Sequence, residues 1–193
     1  ETVHAYGGVV IADVISPALA RKAVAAGVDG LVLVCNGAGG HTGSYNPFAF
    51  VAEVRQFWDG PLGLAGAISN GRDIHAAQVL GCDFSLVGTR LIAAHESLVE
   101  PAYRDMLVAC SLDDVTTTKA VSGVLANWMR PSLEKAGIDP GAESRASIDF
   151  SGDIATANKA WKHVWSAGQG VGQITGTYSV AQLVDELHQG YRE

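Results

Sequence analysis

The chain has 193 residues, of which 48% are hydrophobic and 17% are charged, and its formal net charge is −7. This composition is typical of one globular domain with a substantial core and room for a small additional lobe, and it excludes a disordered chain. Because the chain has no basic cluster, we expect neither nucleic acid nor an anionic membrane as a partner.

The predicted location is the cytoplasm. No apolar run approaches the roughly 20 residues that span a bilayer, and the first eight residues are unlike a signal peptide. The cysteines Cys35, Cys82 and Cys110 are an odd and scattered set, which indicates a reducing compartment. Two interpretations fit Cys35, which follows a predicted strand: a nucleophile, or a small apolar filler, which is the simpler of the two.

The first elements along the chain form a β-α-β unit. Residues 9–15 are an apolar run with one acid and predict a strand. Ser16 and Pro17 predict the start of a helix, with serine as its cap and proline at the first helical position. That helix ends at Gly27, and residues 30–34 predict the next strand. This order is typical of a parallel sheet.

The same pattern continues to residue 90. Helices are predicted at 47–57 and 73–80, and strands at 62–65 and 84–87. Four strands and three helices therefore alternate, and the polar, glycine-rich loops lie at the carboxyl ends of strands. That is the side on which α/β folds bind ligands.

The pattern changes after Thr89. Residues 91–109 predict a helix, and residues 111–148 show no clear strand pattern, so we expect a small, mostly helical lobe over the ligand face. A polar loop is predicted at 141–154, and an amphipathic helix at 180–187 closes the chain.

The loop at residues 36–43 is the first candidate site. Its glycines let the backbone pass close to a ligand, and His41 is the one residue in it that can transfer a proton near neutral pH. Two interpretations fit the loop alone: a cofactor site with a catalytic histidine, or an ordinary glycine-rich connection with an exposed histidine.

Two further glycine turns favour a phosphate site. Gly66-Ala67-Ile68 and Gly88-Thr89 end consecutive predicted strands, and a helix follows each. Backbone N–H groups at such turns bind anions, and in barrel enzymes the loops after the last two strands commonly hold a cofactor phosphate. No set of histidines, cysteines and acids has metal-ligand spacing, so we expect no metal.

Five motifs follow one another along the chain: Ala38-Gly39-Gly40-His41-Thr42-Gly43, Gly66-Ala67-Ile68-Ser69-Asn70-Gly71-Arg72, Gly81-Cys82-Asp83, Val87-Gly88-Thr89-Arg90-Leu91, and Trp165-Ser166-Ala167-Gly168-Gln169-Gly170-Val171-Gly172. Their order resembles the nitronate monooxygenase family, formerly called the 2-nitropropane dioxygenases. The resemblance covers essentially the whole chain. It implies an FMN enzyme on a (β/α)8 TIM barrel, of which about the last four β/α units are present, with a small helical lid lobe.

The resemblance also implies roles for residues. It implies that His41 is the catalytic base and that the flavin phosphate is bound along Gly39, Gly40, Gly66, Ala67, Gly88 and Thr89. It implies three parts of the chain: the second half of the FMN-binding barrel at 1–96, a helical lid at 97–160, and a C-terminal segment at 161–193 that packs back on the barrel.

The expected function is that of a monooxygenase with a small-molecule substrate. The resemblance implies that O₂ and alkyl nitronates or nitroalkanes are converted to a carbonyl compound and nitrite. One alternative on the same scaffold is a flavin-dependent reductase of enoyl thioesters or quinones that uses NAD(P)H. An alternative from another class is a flavin-less partner subunit of a two-chain complex.

Several positions depart from the family pattern. Gly37 stands where many members have an acid, and Ala67 stands where they have the second of two glycines. Trp165 and Gln169 stand where some members have a tyrosine and a lysine that face the substrate. The chain also begins near the fifth strand of the barrel. We therefore expect a piece of a longer polypeptide or one partner of a split barrel, assembled with the N-terminal half-barrel as an oligomer.

Overall fold

The computed structural model describes residues 1–142 and 164–193, which two β-sheets organise. In chain order the strands are β1 Ile11–Val14, β2 Gly30–Val34, β3 Gly40–His41, β4 Leu62–Ala65, β5 Phe84–Leu86, β6 Val115–Thr118 and β7 Ala126–Met129. The helices are α1 Pro17–Ala25, α2 Pro47–Val54, α3 Gly71–Val79, α4 Thr89–Ile92, α5 Pro101–Ala109, α6 Arg130–Lys135 and α7 Val180–Arg192. Strands β1, β2, β4 and β5 form a parallel sheet in that order, and β3, β7 and β6 form an antiparallel sheet.

Local capping explains where the helices of the parallel sheet begin. The Ser16 hydroxyl accepts a hydrogen bond from the Leu19 amide at 3.2 Å, at the start of α1. At the start of α3, the Asn70 side chain accepts from the Asp73 amide at 2.9 Å, and the Asp73 carboxylate accepts from the Asn70 amide at 3.1 Å. The alternation of strands and helices predicted for residues 9–90 is confirmed.

One face of the parallel sheet packs on the helices. Leu31 pairs with Leu62 and Leu33 with Leu64, and all four side chains are buried. Phe50 and other side chains of α1–α3 complete this core. Each buried aliphatic side chain contributes about 1.5–3 kcal/mol relative to exposure, so this layer fixes the sheet against its helices.

The opposite face of the sheet is only partly covered by the described residues. The Phe84 ring lies over Gly63, at a place where any β-carbon would overlap the ring. A side chain at position 63 would have to displace the Phe84 ring, which accounts for glycine in this central strand. On the same face, Ile11 and Leu86 in the outer strands remain 49% and 39% exposed.

The single helix predicted at 91–109 is wrong, because the structure has two helices there, α4 and α5. Pro101 occupies the first turn of α5, and Glu100 before it has φ −59° and ψ 141°. A residue before proline avoids the helical conformation, so α5 starts afresh at the proline.

The expectation of no strand between 111 and 148 is also wrong. Strands β6 and β7 pair antiparallel, and β3 joins β7 on the other side. The run Val115-Thr116-Thr117-Thr118 consists of β-branched residues, which favour strands. The sequence therefore did indicate strand β6. Most of the loop predicted at 141–154 lies outside the described residues.

The closing helix predicted at 180–187 is confirmed and extends to Arg192. It packs on α3, where Gly71 meets the backbone of Leu187, Gly190 and Tyr191. Within the described ranges, no helix is both long enough and apolar enough to cross a membrane.

We expect Gly71→Ala to destabilise the protein by about 1–3 kcal/mol or more, because the added methyl group would overlap backbone atoms that cannot turn aside. The matched control is Gly172→Ala, whose β-carbon has its nearest neighbour at 3.5 Å. Urea unfolding of the two variants measures the difference. Equal stabilities would contradict the close approach of α3 and α7.

Candidate functional site

The carboxyl ends of the parallel strands surround a cleft of about 290 Å³. Five of the six residues expected at the cofactor site line it, and these are Gly39, Gly66, Ala67, Gly88 and Thr89. Gly40 lies in β3 and does not line the cleft. The loops after β2, β4 and β5 therefore meet at one place, as the order of parallel strands requires.

His41 stands on the wall of the cleft and is exposed. Its backbone is fixed, because His41 pairs with Ala126 of β7. Its Nε2 atom lies 3.5 Å from the hydroxyl of Ser122, a residue that is only 1% exposed. A buried hydroxyl beside the imidazole can restrict the orientation of the ring.

The glycine-rich loop before His41 is tied to the loop after β4. The carbonyl oxygen of Gly37 accepts from the amides of Ala67 at 3.1 Å and Gln169 at 2.9 Å. The carbonyl oxygens of Asn36 and Ala38, on either side, accept from the Asn127 side chain. Three successive carbonyl oxygens are thus engaged by protein donors, which fixes the path of this loop.

Close backbone approach explains the glycine at position 39. A β-carbon there would lie 2.6 Å from the amide nitrogen of Gly168 and 3.0 Å from the Thr89 hydroxyl oxygen. That hydroxyl accepts a hydrogen bond from the Gly168 amide at 2.9 Å. The loops carrying Gly39, Thr89 and Gly168 therefore interlock beside the cleft.

Gly88 has the opposite environment. A β-carbon at Gly88 would have no atom within 4 Å, and the residue lines the cleft and is exposed. Its backbone is thus bare on the side of the cleft. A site of this kind fits a phosphate group, which would fill the space that a side chain leaves free.

Ala67 has a strained backbone. Its φ is +60°, and it follows Gly66 with φ +124°. Left-handed φ costs an L-residue about 1–2 kcal/mol, whereas glycine adopts it freely. The backbone therefore retains the shape of a glycine pair at the position where the chain carries alanine, and such strain is typical of functional loops.

The charges on the cleft wall are few. Asp13 is exposed there, and among the described residues no lysine or arginine lines the cleft. An anionic group would therefore depend on backbone N–H groups, on hydroxyl groups such as those of Thr89 and Ser166, and on His41. The sequence analysis treated Asp13 as one acid within an apolar strand and did not predict that it lines the cleft.

Two other sequence interpretations can be compared with the structure. Burial raises the pKa of the Cys35 thiol to about 12. Cys35 is therefore better explained as a small apolar residue of the core than as a nucleophile. The substrate-facing position expected for Trp165 is wrong: the residue is only 7% exposed, and its ring stacks on that of Tyr103 with the ring centres 5.2 Å apart. The neighbouring Ser166 lines the cleft instead. Gln169 contacts the site through its backbone amide.

Ser122 and Asn127 were missed by the sequence interpretation. Both lie in the stretch for which no strands were predicted, 81 residues or more from the loop that they contact. Among the described residues, no three histidines, cysteines or acids are grouped so as to hold a metal ion.

The comparisons with known proteins agree with the family resemblance of the sequence motifs. A family model described as nitronate monooxygenase matches residues 1–190. A nitronate monooxygenase of Paraburkholderia phytofirmans is 32% identical over 194 residues, which is 90% of this chain and 53% of the relative. A Rhodococcus jostii relative, (3aS,4S,5R,7aS)-5-hydroxy-7a-methyl-1-oxo-octahydro-1H-indene-4-carboxyl-CoA dehydrogenase, is 31% identical over 137 residues, which is 69% of this chain and 39% of the relative.

The fold has a close match among solved structures. FabK from Thermotoga maritima superposes with a TM-score of 0.80 and 26% sequence identity, covering 100% of this chain and 63% of that chain. That protein is a (β/α)8 barrel, which confirms the predicted fold class. The chain spans about half the length of the Paraburkholderia relative.

We expect Ala67→Gly to leave the protein equally stable or to stabilise it by up to about 1 kcal/mol, because relief of left-handed strain exceeds or balances the extra freedom of glycine in the unfolded chain. Ala52→Gly, at an exposed position inside α2, is the control and should destabilise by about 1 kcal/mol. Urea unfolding compares the two. Equal destabilisation would show that residue 67 is not strained.

Proposed function

The chain belongs to the nitronate monooxygenase family, and from this premise we propose that it carries the phosphate site and the catalytic histidine of an FMN-dependent oxidoreductase. The proposed reaction converts alkyl nitronates or nitroalkanes and O₂ to a carbonyl compound and nitrite. The observation that carries the proposal is the meeting of the His41 loop with the Gly66-Ala67 and Gly88-Thr89 turns around one cleft.

The residues of the cleft fit a flavin phosphate. The bare backbone at Gly88 and the turn that begins at Gly66 would hold it through N–H groups other than that of Ala67, which donates to the Gly37 carbonyl oxygen. No lysine or arginine among the described residues lines the cleft. FMN, when bound, supplies the electron transfer that no protein side chain can supply. The interlocked contacts of Gly39, Thr89 and Gly168 would keep the turns in register around the phosphate.

We propose that His41 handles the proton. An imidazole can remove the α-proton of a neutral nitroalkane, or, once protonated, attract an anionic nitronate. Strand β3 fixes the backbone of His41, and the buried Ser122 hydroxyl lies beside its Nε2 atom. A general base of this kind contributes about 10²–10⁴-fold to the rate.

A second candidate is a flavin-dependent reductase of enoyl thioesters that uses NAD(P)H as the electron donor. Asp13 favours it, because a carboxylate on the wall disfavours an anionic nitronate more than the neutral acyl part of a thioester. The Rhodococcus relative is named as a dehydrogenase of a carboxyl-CoA compound. NAD(P)H oxidation with an enoyl thioester, measured beside nitrite release from a nitroalkane, separates the two candidates.

The flavin-less subunit remains the candidate from another class. An absorption spectrum of the purified protein distinguishes it, because bound flavin has visible bands and a scaffold has none.

We also propose that further β/α units cover the open face of the parallel sheet. In residues 1–142 and 164–193, β1 and β5 are the outer strands of that sheet and each pairs on one side. Ile11 and Leu86 on these strands are large, apolar and exposed. Open strand edges and exposed apolar faces favour association, so the partner would be the other half-barrel.

We expect Gly88→Val to weaken FMN binding by about 10- to 100-fold, since it displaces the phosphate from a charge-assisted hydrogen bond of about 1.5–3 kcal/mol. The control is Gly141→Val, in an exposed loop away from the cleft. Flavin fluorescence titration gives both affinities. Unchanged FMN affinity in Gly88→Val would remove the proposed phosphate site.

We expect His41→Asn, with FMN retained, to separate the two roles of the imidazole. If His41 is a base, turnover of the neutral nitroalkane falls by about 10²–10⁴-fold while the nitronate is less affected. If it attracts an anion, turnover of the nitronate falls while the neutral nitroalkane is less affected.

His188→Asn, at an exposed position of α7, is the control for loss of a histidine. Nitrite release and NAD(P)H oxidation are measured for both variants. Wild-type rates in His41→Asn for both substrates and for NAD(P)H would show that His41 is structural.

A further inference from the structure

Asn127 lies in β7 at the centre of the contacts around the His41 loop, and its relative exposure is 0%. Its side-chain nitrogen donates to the carbonyl oxygens of Asn36 at 2.8 Å and Ala38 at 2.7 Å. Its side-chain oxygen accepts from the Thr117 hydroxyl of β6 at 2.5 Å. Both hydrogens of the amide group are therefore used by the loop.

The backbone around Asn127 contacts the same loop farther along. Gly40 pairs with Asn127, and His41 pairs with Ala126, in the ladder between β3 and β7. One residue thus fixes the loop twice, through its side chain at 36 and 38 and through its strand at 40. Gly39, which lies between these two contacts, lines the cleft, and His41 comes directly after Gly40 and also lines it.

The chemistry of this contact specifies asparagine. Two carbonyl oxygens need two donors, and the asparagine amide presents both on one nitrogen. Aspartate of the same shape offers none when ionised, and leucine would leave both carbonyl groups without a donor. Each carbonyl group left unpaired in this half-buried contact costs up to about 1–3 kcal/mol. An ordinary core position would carry no such requirement.

We propose that Asn127 is a positioning residue for His41, which sets the loop so that the imidazole and the backbone of Gly39 face the bound flavin and substrate. This proposal rests on the proposed function for its effect on turnover. Its structural part concerns only the loop, and it can be tested without any substrate.

The test uses Asn127→Asp in the complete FMN-loaded enzyme, because the change preserves shape and removes both donors. We expect kcat for a neutral nitroalkane to fall by about 10- to 100-fold, since a displacement of about 1 Å at a catalytic group can cost about 100-fold. KM should change much less, and FMN should remain bound. Hydrogen exchange of the amides at residues 38–41 should become faster, and the imidazole NMR resonances of His41 should shift.

The control is Ser132→Ala, which removes a different buried hydrogen bond, from the Trp165 amide to the Ser132 hydroxyl at 2.7 Å. It should lower stability without changing kcat, loop exchange or the His41 resonances. If Ser132→Ala reproduces the effects of Asn127→Asp, the effects come from an overall loss of stability, and the proposal fails. Unchanged loop exchange and His41 resonances in Asn127→Asp would also overturn it.

A wild-type measurement covers the case in which Asn127→Asp does not fold. Both side-chain amide protons of Asn127 should exchange slowly with solvent, since each is buried in a hydrogen bond to a carbonyl group. Fast exchange of either proton would overturn the proposal. If wild-type protein turns over no nitroalkane while the loop responds as expected, the proposed function fails and the positioning role of Asn127 stands.

Discussion

The hydrogen bonds to three successive carbonyl oxygens, of Asn36, Gly37 and Ala38, hold the site together. Their donors come from three distant parts of the chain: Asn127 in β7, Ala67 after β4, and Gln169 beyond residue 164. The parallel sheet, the antiparallel sheet and the C-terminal segment are therefore joined at one loop. Because buried carbonyl groups without donors are costly, this arrangement fixes the position of each partner.

The shape and charge of the cleft follow from this junction. The loops approach so closely that Gly39 and Gly168 have no room for side chains, while Gly88 leaves its backbone open to the cleft. Ala67 accepts a left-handed φ within the same junction. Glycine-rich backbone and His41 line the wall, and among the described residues it carries no lysine or arginine. An anion would be bound by oriented dipoles and not by side-chain cations.

Local chemistry explains what the sequence predicted well. Apolar periodicity and the caps at Ser16 and Asn70 defined the β/α units, and glycine turns at strand ends indicated the cleft. Contacts between distant residues explain the rest. The contacts of Asn127 and Ser122 depend on partners more than 80 residues away. The β-branched run of β6 does favour a strand, but β6 and β7 have four residues each, too few for a clear alternating pattern. Trp165 was placed at the cleft by analogy, but its stacking on Tyr103 takes it into the core.

The central claim is that the backbone around Gly66-Ala67 and Gly88-Thr89 binds the phosphate of a flavin. The most direct measurement compares the affinities of FMN and riboflavin for the flavin-free protein, since the two ligands differ only in that phosphate. We expect FMN to bind more tightly by about 10- to 100-fold or more, the equivalent of at least one charge-assisted hydrogen bond. Equal affinities for FMN and riboflavin, or binding of neither, would contradict it.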